Sequence, residues 1–301
     1  MTRAVVSLNS GSSSIKFGLY ELDPNGAPVL AVRGKIERIG ISPRLSIRDS
    51  AGGQLLEQEW PGEAGLTHAD LLVSLFDWAS TRLTGIEVTA IGHRVVHGGT
   101  DFVSPCLIDG DILVRLDRLC PLAPLHQPHN LSAIHAIARI APALPQVACF
   151  DTAFHNGRPA LAKRFAIPRA LHDQGIQRYG FHGLSYEYIA RRLAASAEAV
   201  CRRYLSNGRR EGRYWLVGDV HNSPGRSLYV RLSATTESRG GAGKWTDAQS
   251  GEHGDLLDII AASCAHRTMR ETLDEARMFL SLPPPYEAKP RNQTIRKAPT
   301  G

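Results

Sequence analysis

The order of predicted strands and helices in the first half of the chain restricts the fold more than any other feature. Apolar and polar residues alternate with a period of two in several segments, which predicts strands that each bury one face. The first strands follow one another directly, whereas helical patterns separate the later ones. Hairpins followed by alternating strands and helices are typical of a mixed sheet covered by helices. The predicted strands are residues 4–8, 15–20, 27–40, 43–60 with a turn at 51–53, 88–99 and 145–151.

Two helices are predicted between the later strands. Residues 67–83 carry leucines at helical spacing, and Thr67 is the candidate N-cap. Residues 129–142 place leucine and isoleucine side chains on one side of a second helix. Because an apolar stripe on a helix must be buried, we expect both helices to pack on the sheet.

Composition limits the class of protein. The chain has 301 residues, 43% of them hydrophobic, which is enough for one large domain or two ordinary ones. It has no run of about 18 apolar residues and no apolar segment of a signal peptide at its N-terminus, so we expect a cytoplasmic protein that does not span a membrane. The five cysteines are scattered and lack a C-x-x-C spacing, which predicts neither a disulfide framework nor a zinc site.

The amino-acid composition of the sequence changes near residue 200. Residues 200–255 are rich in Arg, Gly and Ser and contain only short apolar pieces. One helix is predicted over 255–282, followed by a solvated tail at 283–301. We therefore predict two regions, 1–198 and 199–301, and expect the second to be irregular or loosely packed outside its helix.

The turn between the first two predicted strands contains residues suited to binding anions. Gly11 lets the backbone approach a ligand closely, and the serine hydroxyls at 10–14 suit phosphate oxygens, with Lys16 just beyond. The turn is not a Walker A loop, because a second glycine beside the lysine and a following helix are missing. A polar hairpin turn without any ligand remains the alternative at this point.

Further candidate residues lie at predicted strand ends and in loops. Arg94 near the end of a strand can bind a carboxylate or phosphate, or form a surface ion pair. Asp151 follows a short apolar strand, where open sheets place ligands, although it could also cap a helix. Prolines fix the loop around His126, and a loop histidine can be structural or catalytic. His182, flanked by glycines, could stabilise charge on a phosphoryl group.

Five segments, in this order and spacing, resemble the acetate kinase family. They are VVSLNSGSSSIKFGLYE from Val5, GHRVVHGG from Gly92, PLAPLHQPHNL from Pro121, VACFDTAFH from Val147 and RYGFHGLSYEYIARRL from Arg178. The resemblance covers about the first 195 residues. It implies a ribonuclease H-like α/β fold, as in actin-like ATPases, and reversible transfer of the γ-phosphoryl group of ATP, with Mg²⁺, to a short-chain carboxylate such as acetate.

The resemblance also implies site residues and partners. It implies acetate or a related carboxylate and ATP as small-molecule substrates, and a homodimer as the assembly. By matching position, Asp151 and His182 are implied to be catalytic, Arg94 and His126 substrate-binding, Lys16 and Ser12 nucleotide-binding, and Asn9 metal-binding.

The sequence departs from the family after about residue 195. The second phosphate loop of the family, its second catalytic arginine, its adenosine-binding glycines and its late magnesium-binding glutamate are not recognisable. We therefore expect an incomplete or aberrant second lobe, and a frameshift or a degenerate gene is one hypothesis for its origin. The leading hypothesis is an acetate kinase with doubtful activity, and the alternative is a non-catalytic remnant.

A basic nucleic-acid-binding module is the last alternative. It depends on the net charge of +6, the pI of about 9.2 and the Arg-rich segment after residue 200. The same charge is expected for a solvated surface around an anion-binding cleft. The segment shows no aromatic residues interleaved with the basic ones and no known reader motif, so we consider nucleic acid an unlikely partner.

Overall fold

The computed structural model describes residues 1–62, 65–234 and 241–282. The chain divides into two compact units, Met1–Ser185 and Tyr186–Gly301. The predicted tail at 283–301 lies outside the described residues. Within the described ranges, we find no helix with both the length and the apolar character that a membrane span requires.

The first unit is built on an eight-stranded sheet with the order β5-β4-β3-β2-β1-β6-β8-β7. Five strands form the antiparallel ladder from β5 to β1, whereas β6 pairs in parallel with both β1 and β8. The predicted mixed sheet is confirmed. Its strands are β1 Thr2–Ser10, β2 Ser14–Leu22, β3 Pro28–Glu37, β4 Arg44–Asp49, β5 Gln54–Glu59, β6 Ile86–Val95, β7 Cys106–Leu107 and β8 Gln146–Phe150.

The parallel strands determine where a site can form. Because β1, β6 and β8 run in the same direction, their carboxyl ends lie at one edge of the sheet. Side chains that follow these three strands are therefore brought together from distant parts of the chain. Ser10 ends β1, Val95 ends β6, and Asp151 follows β8 directly.

Helices cover the sheet as predicted. Thr67 caps the first helix through a capping box with Asp70, and the helix buries Leu71, Leu72 and Leu75 against the sheet. The next long helix buries Ile134 and Ile137. The helices that begin in this unit are α1 His68–Arg82, α2 Gly110–Asp117, α3 Gln127–Ile140, α4 Arg169–Asp173 and α5 Gly183–Ala195.

The second unit corrects the expectation of an irregular region beyond residue 200. It contains a five-stranded antiparallel sheet with the order β13-β12-β11-β10-β9, and helices pack against it. Seventeen buried residues, among them Trp215, Val230 and Trp245, form its core. Its elements, after α5, are α6 Ala197–Tyr204, β9 Arg209–Glu211, β10 Tyr214–Val217, β11 Leu228–Arg231, β12 Trp245–Asp247, β13 His253–Gly254, α7 Leu256–Ser263 and α8 Met269–Phe279.

The long helix predicted over 255–282 is two helices. Asp255 begins α7 and Thr268 begins α8, each with a capping box. Between them Ala265 has a φ of 53°, which lies in the left-handed region and ends the first helix. The apolar period alone did not show this break, because both helices bury residues in the same core.

Candidate functional site

The side chains of Asn9, Arg94 and Asp151 meet at the carboxyl ends of β1, β6 and β8. Nη2 of Arg94 donates to Oδ2 of Asp151 over 2.5 Å, and Nε lies 3.1 and 3.2 Å from the two carboxylate oxygens. Nη1 of Arg94 donates to Oδ1 of Asn9 over 3.3 Å. One guanidinium group therefore connects all three strands.

Burial differs sharply across this ion pair. The side chain of Asp151 is only 1% exposed, whereas that of Arg94 is 33% exposed. A buried carboxylate is stable only if it is paired, so Arg94 neutralises Asp151 and holds it in place. The exposed part of the same guanidinium can also contact an anion from solvent, because its five donors form a planar fork.

Lys16 adds positive charge beside this cluster. It lies opposite Asn9 in the pairing of β1 with β2, and opposite Lys35 in the pairing of β2 with β3. Burial lowers the pKa of Lys16; Glu37 opposes this shift, and the charges of Lys35 and Arg94 add to it. The strand ends thus concentrate cationic groups, and a bound polyanion would relieve their mutual repulsion.

The turn after β1 is held by side chains from two helices. The backbone N–H of Gly11 donates to the carbonyl oxygen of Ser14 over 2.8 Å, which closes the turn, and Ser12 is exposed at its tip. Nε2 of His68, the first residue of α1, donates to the carbonyl oxygen of Gly11 over 2.7 Å. The exposed serine and the fixed backbone are the features that a phosphate-binding turn needs.

Asn130 and Gln127 of α3 hold the same strand ends through hydrogen bonds to the backbone. Nδ2 of Asn130 donates to the carbonyl oxygen of Ser10 over 2.5 Å, and its Oδ1 accepts from the N–H of Val96. Gln127 exchanges two hydrogen bonds with the backbone of His97. The sequence analysis missed both residues. The signal for Asn130 was a polar residue on the apolar side of a predicted helix, which requires a hydrogen-bond partner when buried, whereas Gln127 precedes the helix predicted over 129–142.

His126 lies at the start of α3. It is the N-cap residue of that helix, and its side chain is exposed. Its charge, together with that of His68, helps lower the pKa of His129, although burial of His129 is the larger cause. The rings of His68 and His129 stack with centroids 5.6 Å apart. His126 therefore belongs to a histidine cluster beside the Gly11 turn.

His182 lies next to the Asp151 turn through its backbone. The N–H of Gly183 donates to the carbonyl oxygen of Asp151 over 2.9 Å, and a Cβ at residue 183 would come within 2.2 Å of that oxygen. His182 has a φ of 61° and an exposed side chain. Its charge and that of Asp151 both affect the pKa of His155, which burial lowers. The glycine allows α5 to begin directly against the turn that follows β8.

A family model matches this part of the chain. The model of the acetokinase family covers residues 4–202. The chain belongs to the acetokinase family.

Individual relatives support the same assignment. The acetate kinase of Rhodopseudomonas palustris is 47% identical over 195 residues, which are 64% of this chain and 48% of that protein. The acetate kinase of Rhizobium meliloti is 44% identical over 202 residues, which are 66% of this chain and 50% of that protein. The chain therefore spans about half the length of the curated relatives it matches.

Solved structures match the fold. The crystal structure of Porphyromonas gingivalis acetate kinase is 32% identical with a TM-score of 0.53, over 66% of this chain and 49% of that one. A propionate kinase from Francisella tularensis is 30% identical with a TM-score of 0.53, over 76% of this chain and 54% of that one. The actin-like α/β fold that the resemblance implied is confirmed.

The acetokinase fold brings together only part of the predicted site by direct side-chain contact. Asn9, Arg94 and Asp151 contact one another, and Lys16 lies beside them. Ser12 is at the tip of the adjacent turn, and His126 belongs to the histidine cluster beside that turn. His182 adjoins Asp151 through the backbone, so convergence of its imidazole on the ion pair remains a prediction.

His93 makes the stability of this acetokinase unit depend on pH. It is 2% exposed in β6, and its Nε2 donates to Oε1 of Gln146 over 2.8 Å. Burial lowers the pKa of His93 from 6.5 to about 4, although the hydrogen bond to Gln146 opposes the shift. At a pH between these two pKa values, His93 binds more protons in the unfolded state than in the folded state. The unit therefore loses stability as the pH falls through this window, by at most ~1.4 kcal/mol per pH unit.

We expect the His93→Gln variant to lose this dependence. From pH 7 to pH 5 the free energy of unfolding of the first unit should fall by about 2 kcal/mol more in the original chain than in the variant. Urea unfolding, followed by pulsed hydrogen exchange in peptides from β6, measures the difference. Equal pH dependence in the two proteins would show that His93 is not the titrating group.

Proposed function

We propose that the first unit is the carboxylate- and phosphate-binding half of an acetate kinase, which transfers the γ-phosphoryl group of ATP to acetate and releases ADP. The observation that supports this most is the Arg94–Asp151 ion pair, joined to Asn9 at the ends of three strands. Phosphoryl transfer needs positioned groups and neutralised charge, and this cluster offers both. We place the reaction in the cytoplasm, where ATP is available.

Arg94 has two partners in this proposal. In the structure it is held by Asp151, and its exposed part is the docking point for the acetate carboxylate. Carboxylate and guanidinium fit as two parallel hydrogen bonds, which orient the attacking oxygen. Asp151 in turn keeps the guanidinium of Arg94 from rotating away.

Lys16 and Ser12 would bind the phosphates. Lys16 provides a cation next to Asn9, and the exposed hydroxyl of Ser12 provides a donor at the tip of the turn. His182, exposed beside the Asp151 turn, would donate to the transferring group and stabilise its developing charge. His126, at the start of α3, would line the substrate side of the same turn.

The residues at the strand ends suit Mg²⁺ bound together with ATP. The amide oxygen of Asn9 and the carboxylate of Asp151 are hard oxygen donors, the kind that Mg²⁺ prefers alongside phosphate oxygens and water. Ser10 ends β1 with a buried hydroxyl that has no partner among the described residues. Asn9 would hold the ion, which supplies charge neutralisation between the phosphates.

A non-catalytic role is the second candidate, and partial coverage of the relatives favours it. The chain matches only about half the length of these curated acetate kinases. In that case the first unit binds the anions without turning them over. The homodimer that the resemblance implies is also a proposal, which light scattering on the purified chain tests directly.

Binding of Mg·ATP and acetyl phosphate tests the proposal without requiring turnover. We expect Arg94→Lys to weaken acetyl phosphate binding by about 10-fold or more, because lysine keeps the charge but loses the fork. Arg44→Lys is the matched control, since Arg44 pairs with Glu57 and Glu59 at an exposed place on the sheet. Isothermal titration calorimetry measures both. Equal affinities in the two variants would exclude Arg94 from the anion site.

A further inference from the structure

The sheet of the second unit has two chemically different faces. One face places Trp215, Val217, Leu228 and Val230 in the core, against the helices. Side chains on neighbouring positions of a strand point to opposite faces, so the residues between these lie on the other face. That face carries a different set of residues: Tyr214, Leu216, Tyr229, Arg231, Arg209 and Glu211.

The strand register places aromatic and cationic residues side by side on this outer face. Tyr214 pairs with Arg231 on β11 and with Glu211 on β9. Leu216 pairs with Tyr229 on β11 and with Arg209 on β9. The two tyrosines are therefore diagonal neighbours, and Arg231 lies opposite Tyr214 and two residues after Tyr229 on β11. The interleaving that is absent along the sequence is created by the pairing of strands.

The two tyrosine rings contact each other edge to face. Their centroids are 5.9 Å apart and their planes meet at 88°. Tyr229 is 37% exposed, and the guanidinium carbon of Arg213 lies 5.5 Å from the centre of the Tyr214 ring. An exposed tyrosine face stacks on any nucleic-acid base, and a neighbouring arginine adds a cation for the backbone.

The charge of this surface is positive. Arg209 and Arg226 both pair with Glu211, at 2.9 and 2.7 Å, so one carboxylate is shared by two guanidinium groups. Arg213 and Arg231 add two more arginines. Arg210 is not part of this set, because it points to the helix side and pairs with Glu198 of α6. Among the described residues of this face, arginines outnumber acidic side chains, and such a cationic face attracts a polyanion.

We propose that this face, defined by Tyr214, Tyr229, Arg209, Arg213, Arg226 and Arg231, binds single-stranded nucleic acid. Bases stack on the two tyrosines, and phosphates contact the arginines around them. A duplex fits less well, because its bases are already stacked on one another and cannot lie on the tyrosine rings. The proposal concerns the second unit and is separate from the kinase chemistry of the first.

Fluorescence anisotropy with a labelled 20-nucleotide oligo(dT) strand and the purified full chain tests the proposal. We expect Tyr229→Ala and Tyr214→Ala each to weaken binding by about 5- to 150-fold, the range measured for loss of one stacked base. Tyr229→Phe keeps the stacking ring and should bind almost as the original chain does. Tyr188→Ala, which removes an exposed tyrosine from α5, is the matched control.

Salt dependence separates phosphate contacts from stacking. The Arg231→Gln variant should reduce the slope of log K against log salt by about 0.7, the value for one phosphate contact on a single strand. Arg270→Gln on α8, also an exposed arginine, should leave the slope unchanged. Circular dichroism of every variant checks that the second unit stays folded.

Several results would overturn the proposal. The proposal is wrong if the chain does not bind the strand at low salt, or if it binds a 20-base-pair duplex with equal affinity. It is also wrong if the Tyr229→Ala and Tyr188→Ala variants bind the strand with the same affinity. Self-association through this face is the remaining alternative, in which Tyr229→Ala changes the mass of the complex in light scattering and leaves oligo(dT) binding unaffected.

Discussion

We expect the purified 301-residue chain to make acetyl phosphate at least about 10²-fold more slowly than a chimera in which the sequence after residue 202 is that of Rhizobium meliloti acetate kinase. The family model ends at residue 202, and that relative is matched over 50% of its length. Loss of one donor to the transition state commonly costs ~10²–10³ in rate, and loss of a stabilising arginine ~10³–10⁵. Trapping the product as its hydroxamate, with acetate and Mg·ATP as substrates, measures both proteins.

Asp151→Asn is the control in both backgrounds. In the chimera it should abolish most of the activity, because the substitution removes the charge that holds Arg94. A folded but inactive chimera would show that this half of the site does not function, and the proposed kinase chemistry would fail with it. Robust activity in the 301-residue chain, abolished by Asp151→Asn, would show instead that residues 203–301 supply the missing groups.

Arg94→Ala is expected to destabilise the first unit by about 3–5 kcal/mol. Asp151 is 1% exposed, so removing its partner leaves a buried carboxylate without compensating charge. Arg44→Ala, which breaks an exposed pairing with Glu57 and Glu59, should cost no more than about 1 kcal/mol. Urea unfolding with pulsed hydrogen exchange in peptides from β8 reports on this unit specifically.

The double variant Arg94→Ala, Asp151→Asn distinguishes the effect of the unpaired charge on stability from the effect of lost packing. An amide carries no charge, so most of the lost stability should return when Asp151 is also replaced. If Arg94→Ala costs no more than Arg44→Ala, the carboxylate must be neutralised in another way, and the central role assigned to this ion pair would be wrong.

Elements with a clear period and a local end signal were predictable. Helix α1 is an example, because its leucines repeat at helical spacing and Thr67 forms a capping box with Asp70. Strands β1, β2, β3 and β6 were predictable for the same reason, since a pattern over nine or ten residues is strong, whereas β7, only two residues long, was not predicted. Such signals lie within one segment and need no knowledge of distant residues.

The sheet of the second unit was not predictable in this way. Its strands are only two to four residues long, too short for an alternating pattern to stand out. They form because Trp215 and Trp245 meet in one core with the helices. The capping boxes at Asp255 and Thr268 are local signals that agree with that fold.

The candidate site was predictable as a set of residues but not as a set of contacts. Arg94 and Asp151 were selected because strand ends are where sheets place ligands. Their ion pair depends on the parallel register of β6 with β8, in which Arg94 lies opposite Cys149. Asn130 was missed because its importance depends on Ser10 and Val96, which meet it only in the fold.

The core of the second unit has a consequence for how such a gene could arise. The family match ends at residue 202, yet Ile189, Leu193, Val200 and Cys201 of the matched segment are buried in that core. A segment recombined onto the coding sequence after this point can fold only if its apolar side chains complement an inherited helix surface. At such a junction, natural selection therefore favours segments whose apolar side chains fit the inherited helix surface, whatever the original role and length of the segment.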